Sequence, residues 1–278
     1  MRQDNYRPSR NIPRTLLLTL LLSLGLYLPS LPVGASIVSL APIVSGYFSN
    51  GDGINSHWVQ VENTWKGPSP FSQDFSGISA LEDAAVALAL TSGDAGFVRS
   101  ATTVMRDINA GNDWYNADWG GVYGFTDMPP LFATGDLHQQ NFAGHLWGYI
   151  AVPEPGNYNF GVLIDDGFAF TIWGNNGSQT LSLDGLNHPD RWGFDSDISM
   201  EAGLYRFDLV GYNRLEAGVV NLGWWYGPTT SEFGTISQDY LYTAVPAAVP
   251  LPPAVWLFAS GLAGLVGVMR SRKSARES

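Results

Sequence analysis

The sequence predicts an all-β fold, an antiparallel β-sandwich with one helical insertion, and three observations predict it. Tyr158, Phe160, Val162 and Ile164 fall on alternate positions, as do Tyr205, Phe207, Leu209 and Gly211. This is the period-two pattern of strands with one face buried. The chain is rich in Gly (32), Phe (14), Tyr (12) and Trp (10) and poor in Lys, a composition of strands and tight turns. Only one stretch carries a helix signature, so the apolar surface must be buried between sheets.

Taken in order, strands are predicted near 37–48, 58–65, 101–108, 142–151, 156–164, 168–173, 180–183, 204–212 and 218–225. The fourth alternates through Phe142, Gly144, Leu146, Gly148 and Ile150. Between the fourth and fifth, Val152-Pro153-Glu154-Pro155-Gly156 reads as a turn. The helix is signalled by Ser79-Ala80-Leu81-Glu82, which reads as a capping box, and by the alanine-rich run to Leu90, with Gly93 as its stop. No repeat of fixed period is present. Residues 244–249 read as a Pro/Ala-rich linker.

Composition excludes several function classes. The 278 residues contain no cysteine, which rules out disulfides, cysteine-ligated zinc or iron–sulfur sites, and a thiol nucleophile. The formal charge of -11 argues against nucleic acid as a partner, since that needs a basic surface. The charge is uneven. Eight of the 14 basic residues lie in the tails, leaving six in residues 36–249. Only Asp4 and Glu277 of the 25 acids lie outside that stretch, so its formal charge is -17.

The two tails read as export elements. Residues 1–35 have a basic start, an apolar run from Leu16 to Leu28 and a small-residue site at Val33-Gly34-Ala35, the layout of a signal peptide cleaved after Ala35. At the other end, residues 254–269 are apolar and uncharged, and Arg270, Arg272, Lys273 and Arg276 follow. Such a segment holds an export intermediate in the membrane with its basic end on the cytoplasmic side.

The whole C-terminal string, VPLPPAVWLFASGLAGLVGVMRSRK, resembles a PEP-CTERM sorting signal: a proline motif, an apolar helix and a basic end. Here the motif is Val249-Pro250-Leu251-Pro252, a variant of Val-Pro-Glu-Pro. The resemblance implies processing by an exosortase-type enzyme, a transient inner-membrane intermediate, and delivery to the cell surface or the extracellular polysaccharide matrix. Val152-Pro153-Glu154-Pro155 spells the usual motif, but no apolar helix or basic cluster follows it.

The second half of the middle region resembles a PA-fourteen domain, a carbohydrate-associated β-sandwich. The resemblance rests on Trp147-Gly148-Tyr149-Ile150, Pro155-Gly156-Asn157-Tyr158, Ile164-Asp165-Asp166-Gly167-Phe168, Glu201-Ala202-Gly203-Leu204-Tyr205, Gly211-Tyr212-Asn213 and Gly223-Trp224-Trp225. It covers residues 142–226 well. The domain is placed at 36–243, with a divergent insert at about 50–140 and the sorting signal at 250–278.

Asp165-Asp166-Gly167 is the most informative site. Consecutive side chains on a regular strand point to opposite faces, so two adjacent aspartates reach one ion only through a turn or an unusual peptide geometry. The PA-fourteen resemblance implies a cis peptide between them, calcium held by both carboxylates, and a sugar's vicinal hydroxyls completing the coordination. Calcium takes six to eight oxygens in loose geometry. Asn213 is the further ligand candidate on the second loop, and Glu216 follows it. The alternative is that the two aspartates cap a turn by accepting from backbone amides.

Trp114 and Trp119, with Tyr115 and Tyr123, crowd a polar Gly/Asn/Asp-rich stretch and are candidate glycan contacts, since indole faces stack on the apolar faces of sugars. Trp192 is a third, beside His188 and Asp190 in the acidic segment 184–197, which could bind a cation or lie beside the sugar site and otherwise reads as a solvated loop. Trp224 and Trp225 should face opposite ways on one strand. No enzyme signature stands out. His57, His138, His145 and His188 form no HExxH pair, His145 reads as a packed or surface residue, and no nucleophile elbow or P-loop occurs. The sequence therefore points to an exported, non-enzymatic protein that binds surface or matrix carbohydrate with calcium as its cofactor. The alternative is a structural matrix protein without specific glycan recognition.

Overall fold

The structure, a computed structural model, describes residues 38–111, 126–127, 141–215, 218–226 and 234–246. The signal segment, Trp114, Tyr115, Trp119, Tyr123, His138, Glu216, the motif Val249-Pro250-Leu251-Pro252 and the apolar segment 254–269 lie outside the described residues. Among the described residues no helix is long and apolar enough to cross a membrane.

Two eight-stranded sheets form the sandwich. One contains β1 (Val38–Leu40), β5 (Asn109–Gly111), β6 (Thr126–Asp127), β8 (Gly156–Asp165), β11 (Asp190–Gly193), β12 (Ile198–Met200), β14 (Val219–Tyr226) and β15 (Gly234–Thr235). Its central order is β1-β12-β8-β14-β5-β6. The other contains β2 (Val44–Ser45), β3 (Ile54–Val61), β4 (Phe97–Met105), β7 (Phe142–Val152), β9 (Gly167–Gly174), β10 (Gly177–Leu183), β13 (Gly203–Asn213) and β16 (Leu241–Tyr242), in the central order β10-β9-β13-β7-β3-β4. Pairing is antiparallel except for β1 with β12 and β5 with β6, which are parallel.

The alternating side chains build the core between the sheets. Phe160 on β8 meets Phe170 on β9 across the sandwich, with ring centroids 5.7 Å apart. Tyr158, Val162, Ile164, Phe168, Ile172, Phe207 and Leu209 are buried around them. Trp224 packs against Tyr158 and Phe160, while Trp225 follows it on β14.

The predicted strand at 37–48 forms as two short strands. Pro42 cannot donate to a ladder, and at that point the chain leaves the first sheet, where β1 pairs with β12, and enters the second, where β2 pairs with β13. Ile43 N re-attaches it by donating to Leu204 O at 2.8 Å. The turn at 153–155 forms as expected, closed by Tyr158 Oη donating to Glu154 O at 2.8 Å. The glycine of the Glu201-Ala202-Gly203 turn sits at φ 151°, and a Cβ there would stand 2.5 Å from Pro42 Cβ.

Among the described residues of the domain, two α-helices form where one was expected. α1 (Pro70–Asp74) is capped by Ser69, whose hydroxyl accepts from Ser72 N, with Pro70 in the first turn. α2 (Leu81–Leu88) starts at Ala80 and makes no capping box. Ser79 stands one residue too early, and Asp83 reaches back to Ser79 N at 3.1 Å. Asp83 Oδ1 also accepts from Ser69 N at 2.9 Å and Asp83 Oδ2 from Ser69 Oγ at 2.6 Å. One fully buried carboxylate thus ties both helix starts together. Ala84 and Ala87 of α2 press on Val61, Ala143 and Tyr212, covering part of the outer face of the second sheet.

The segment 184–197 is exposed along much of its length but is not loop throughout. It contributes β11, which pairs with β8 along Asp190↔Ile164 to Gly193↔Gly161. Short charged strands of this kind carry too little alternation to be read in advance.

Candidate functional site

Three strand ends meet at one corner. Asp165 is the last residue of β8, and Gly167 is the first of β9, so Asp166 alone forms the connection. The Asp165–Asp166 peptide is cis. Asp166 N donates to Tyr212 O at 2.7 Å. Tyr212 pairs with Gly167 in the β9–β13 ladder, which sets Asn213, the end of β13, beside Asp166. The fold therefore carries Asp165, Asp166 and Asn213 to the same corner. Asn213 is fully buried, Asp166 is 9% exposed and Asp165 is half-buried.

Asp166 is held by main-chain donors. Its Oδ2 accepts from Arg214 N at 2.8 Å, and the Asn187 amide also donates to the carboxylate. Burial pushes its pKa up to about 6, against the opposing effects of those two amides and of the nearby Arg214 and His188 charges. Among the described residues it makes no ion pair. A buried carboxylate with so little cationic compensation is poised to accept a cation.

Gly167 serves the site through space and not through an unusual φ. A Cβ there would lie 2.5 Å from Tyr212 Oη. That hydroxyl donates to Gly185 O at 2.7 Å and lies 3.1 Å from Asp184 Oδ1. Burial, then the Asp184 charge, raises its pKa. Asp184 Oδ1 in turn accepts from Leu81 N at 2.8 Å, so a loop remote in sequence caps α2.

Arg214 forms a second wall. Its Nε donates to Ser76 O at 2.8 Å, and its guanidinium carbon sits 5.5 Å from the centroid of Phe75. Arg214 O accepts from Asn141 N at 3.0 Å. Asn141 is buried at φ 54°, and its Nδ2 donates to Asn63 Oδ1 at 2.6 Å. Residues 63–77 of the helical insert therefore border the aspartate corner.

Of the predicted glycan contacts, only Trp192 lies among the described residues. It is 39% exposed on β11, opposite Val162 and three positions back along β8 from Asp165. His145 lies elsewhere, half-exposed, bonded through Nε2 to Asp208 Oδ1 at 2.9 Å and stacked on Trp147. The ladder sets His57 opposite His145, a pairing that their distance in sequence hides.

The sequence reading missed Arg214 and Phe75, and it named Tyr212 and the segment beginning at Asp184 without the roles they take here. Arg214 follows the predicted ligand Asn213 directly and is one of six basic residues in a stretch of charge -17, which was a usable signal. Phe75 and Asp184 reach the corner only through tertiary packing. The donor set is hard oxygen throughout, two carboxylates and an amide, which fits calcium better than a transition metal. Among the described residues no group of three or more His, Asp or Glu side chains gathers, so an ion here would need amide, main-chain or ligand oxygens as well.

No family model and no curated protein matches the chain. Among solved structures it is similar to the PA14 domain of an antifreeze protein, at 18% identity, with a TM-score of 0.43, over 71% of this chain and 94% of that one. It is similar to the PA14 sugar-binding domain of an RTX adhesin, at 16% identity and a TM-score of 0.42, over 69% and 99%. It is also similar to the Epithelial Adhesin 6 A domain of Candida glabrata, solved in complex with Galβ1-3GlcNAc, at 12% identity and a TM-score of 0.43, over 74% and 92%.

Proposed function

We propose that this chain is an exported, non-enzymatic protein that binds surface or matrix polysaccharide through the corner formed by Asp165, Asp166 and Asn213, with calcium as its cofactor. The observation that carries the reading is the convergence itself. The ends of β8 and β13 and the one-residue connection at Asp166 bring two acidic residues and an amide residue to one place, and the more buried carboxylate lacks an ion pair among the described residues. Calcium, when bound, supplies open coordination positions for a pair of neighbouring sugar hydroxyls. The chain's own residues do the rest. The Arg214 and Asn187 amides fix the Asp166 carboxylate, and Tyr212 O fixes its main chain. Burial of Asn213 holds its amide in one place.

Delivery belongs to the same proposal. A signal peptide ending at Ala35 and the Val249-Pro250-Leu251-Pro252 tail support export, a transient membrane-anchored intermediate and sorting by an exosortase-type enzyme.

Calorimetric titration with calcium tests the site. Heat of binding is expected for the native chain and none for an Asp165→Ala/Asp166→Ala chain. Equal heats would overturn the reading. A glycan array probed with calcium and with chelator tests the second step, and chelator is expected to abolish binding. Silence under both conditions would favour a structural matrix role.

A further inference from the structure

Among the described residues, the two Nη groups of Arg214 have no hydrogen-bond acceptor, and the Arg214 charge acts on Asp166. The side chain is anchored at Nε on Ser76 O and laid against Phe75, and its own backbone amide holds Asp166. Among the described residues it makes no ion pair, and no Nη hydrogen bond is seen. An arginine that is pre-oriented yet keeps two donor groups is suited to a planar anion, which accepts two parallel N–H···O bonds. Its setting sharpens the point. Residues 36–249 carry 23 acids against six basic groups. With a divalent cation on the two aspartates, their charges cancel and no longer compete for the Arg214 guanidinium. Asp184, which reaches Tyr212 Oη, has its Oδ1 engaged by the amides of Leu81 and Gly185 as well.

We propose that Arg214 makes the corner selective for sugars that carry a carboxylate, hexuronates, over the matching neutral hexoses. The neighbouring ring hydroxyls sit at the cation, and the sugar carboxylate pairs with the guanidinium fork. Phe75 is a positioning residue that keeps the guanidinium flat and fixed. This inference rests on the calcium–glycan reading above.

The test uses the full chain with saturating calcium and four probes: methyl galacturonoside, methyl galactoside, methyl glucuronoside and methyl glucoside, each titrated calorimetrically. At least one uronate is expected to bind about tenfold or more tightly than its neutral partner, the value of one charge-assisted pair. The preference should shrink as salt rises, because the pair is only partly buried. Arg214→Gln should equalise the two affinities. Arg214→Lys should keep part of the preference, and Phe75→Ala should reduce it even if Arg214→Gln fails to fold. Equal affinities in the native chain, or an undiminished preference in both Arg214→Lys and Phe75→Ala, would overturn the proposal while leaving the glycan reading standing. Calcium heat without heat from any of the four sugars would overturn both.

Discussion

Asp166 is the residue whose setting has the most direct thermodynamic consequence. Its carboxyl titrates near 6 in the folded chain because burial penalises the charge, against about 3.9 in an unfolded chain. Between those values the folded state holds a proton that the unfolded state has released. The contribution of this group is therefore favourable at low pH and is lost as pH rises from about 4 through about 6. With chelator present, stability at pH 7.5 is expected to be lower than at pH 4.5 by up to about 2 kcal/mol, read as a fall in the urea midpoint. An Asp166→Asn chain, which cannot titrate there, should lose that part of the dependence. Calcium reverses the sign, because proton and cation compete for the same oxygens, so its affinity should rise through the same window. The aspartate pair was plain in the sequence as two adjacent acids before a glycine. The asparagine could be placed only by resemblance, and Arg214's role appears only once Ser76 and Phe75 are seen to hold it.

At the scale of elements, the insert at residues 62–96 is organised by one carboxylate. Asp83 accepts from Ser69 N, Ser69 Oγ and Ser79 N while fully buried. Replacing it with Ala leaves two buried amides and a hydroxyl without acceptors, at a cost of about 2–4 kcal/mol. Hydrogen exchange is the discriminating measurement. Protection should fall at Ser69, Ser79 and the first turn of α2, with the amides of β7 and β13 little changed. Uniform loss across the sheets would mean that the insert and the sandwich open together. This hub also explains a misread in the sequence. Ser79 and Glu82 have the spacing of a capping box, but the buried partner at Asp83 shifts the helix start to Ala80. The long alternating strands β7, β8, β9 and β13 were legible because each turns one face to the core between the sheets, which imposes the alternation. The pieces β11, β12, β15 and β16, of four residues or fewer, take their conformation from a neighbouring ladder and carry no period of their own.

For the whole molecule, the stability of a chain without cysteine rests on the aromatic core between the sheets and on a few side-chain ties at its margins. The last described strand is held by such a tie. Asp52 Oδ1 accepts from Thr243 N and Asp52 Oδ2 from Thr243 Oγ1, each at 2.7 Å. Asp52 is exposed, so an Asp52→Ala chain should melt within about 1 kcal/mol of the native chain. Exchange at Leu241, Tyr242 and Thr243 should nevertheless speed up markedly. If those amides keep their protection, the tie is idle and β16 is held by pairing alone.

That tie has a mechanical meaning. Tension applied to the fold from the residues after β16 would first meet a two-residue strand lying on β7 and the paired bonds to Asp52. Phe48, edge-on to Tyr242 at 6.1 Å, backs the same point. Behind it stands β7, joined along eleven registered positions to β13, whose far end is Asn213. A pull would therefore peel a short outer fastening before it sheared the long ladder. The fold would yield a few residues of slack as a shock absorber while the corner at Asp165 and Asp166 kept its grip.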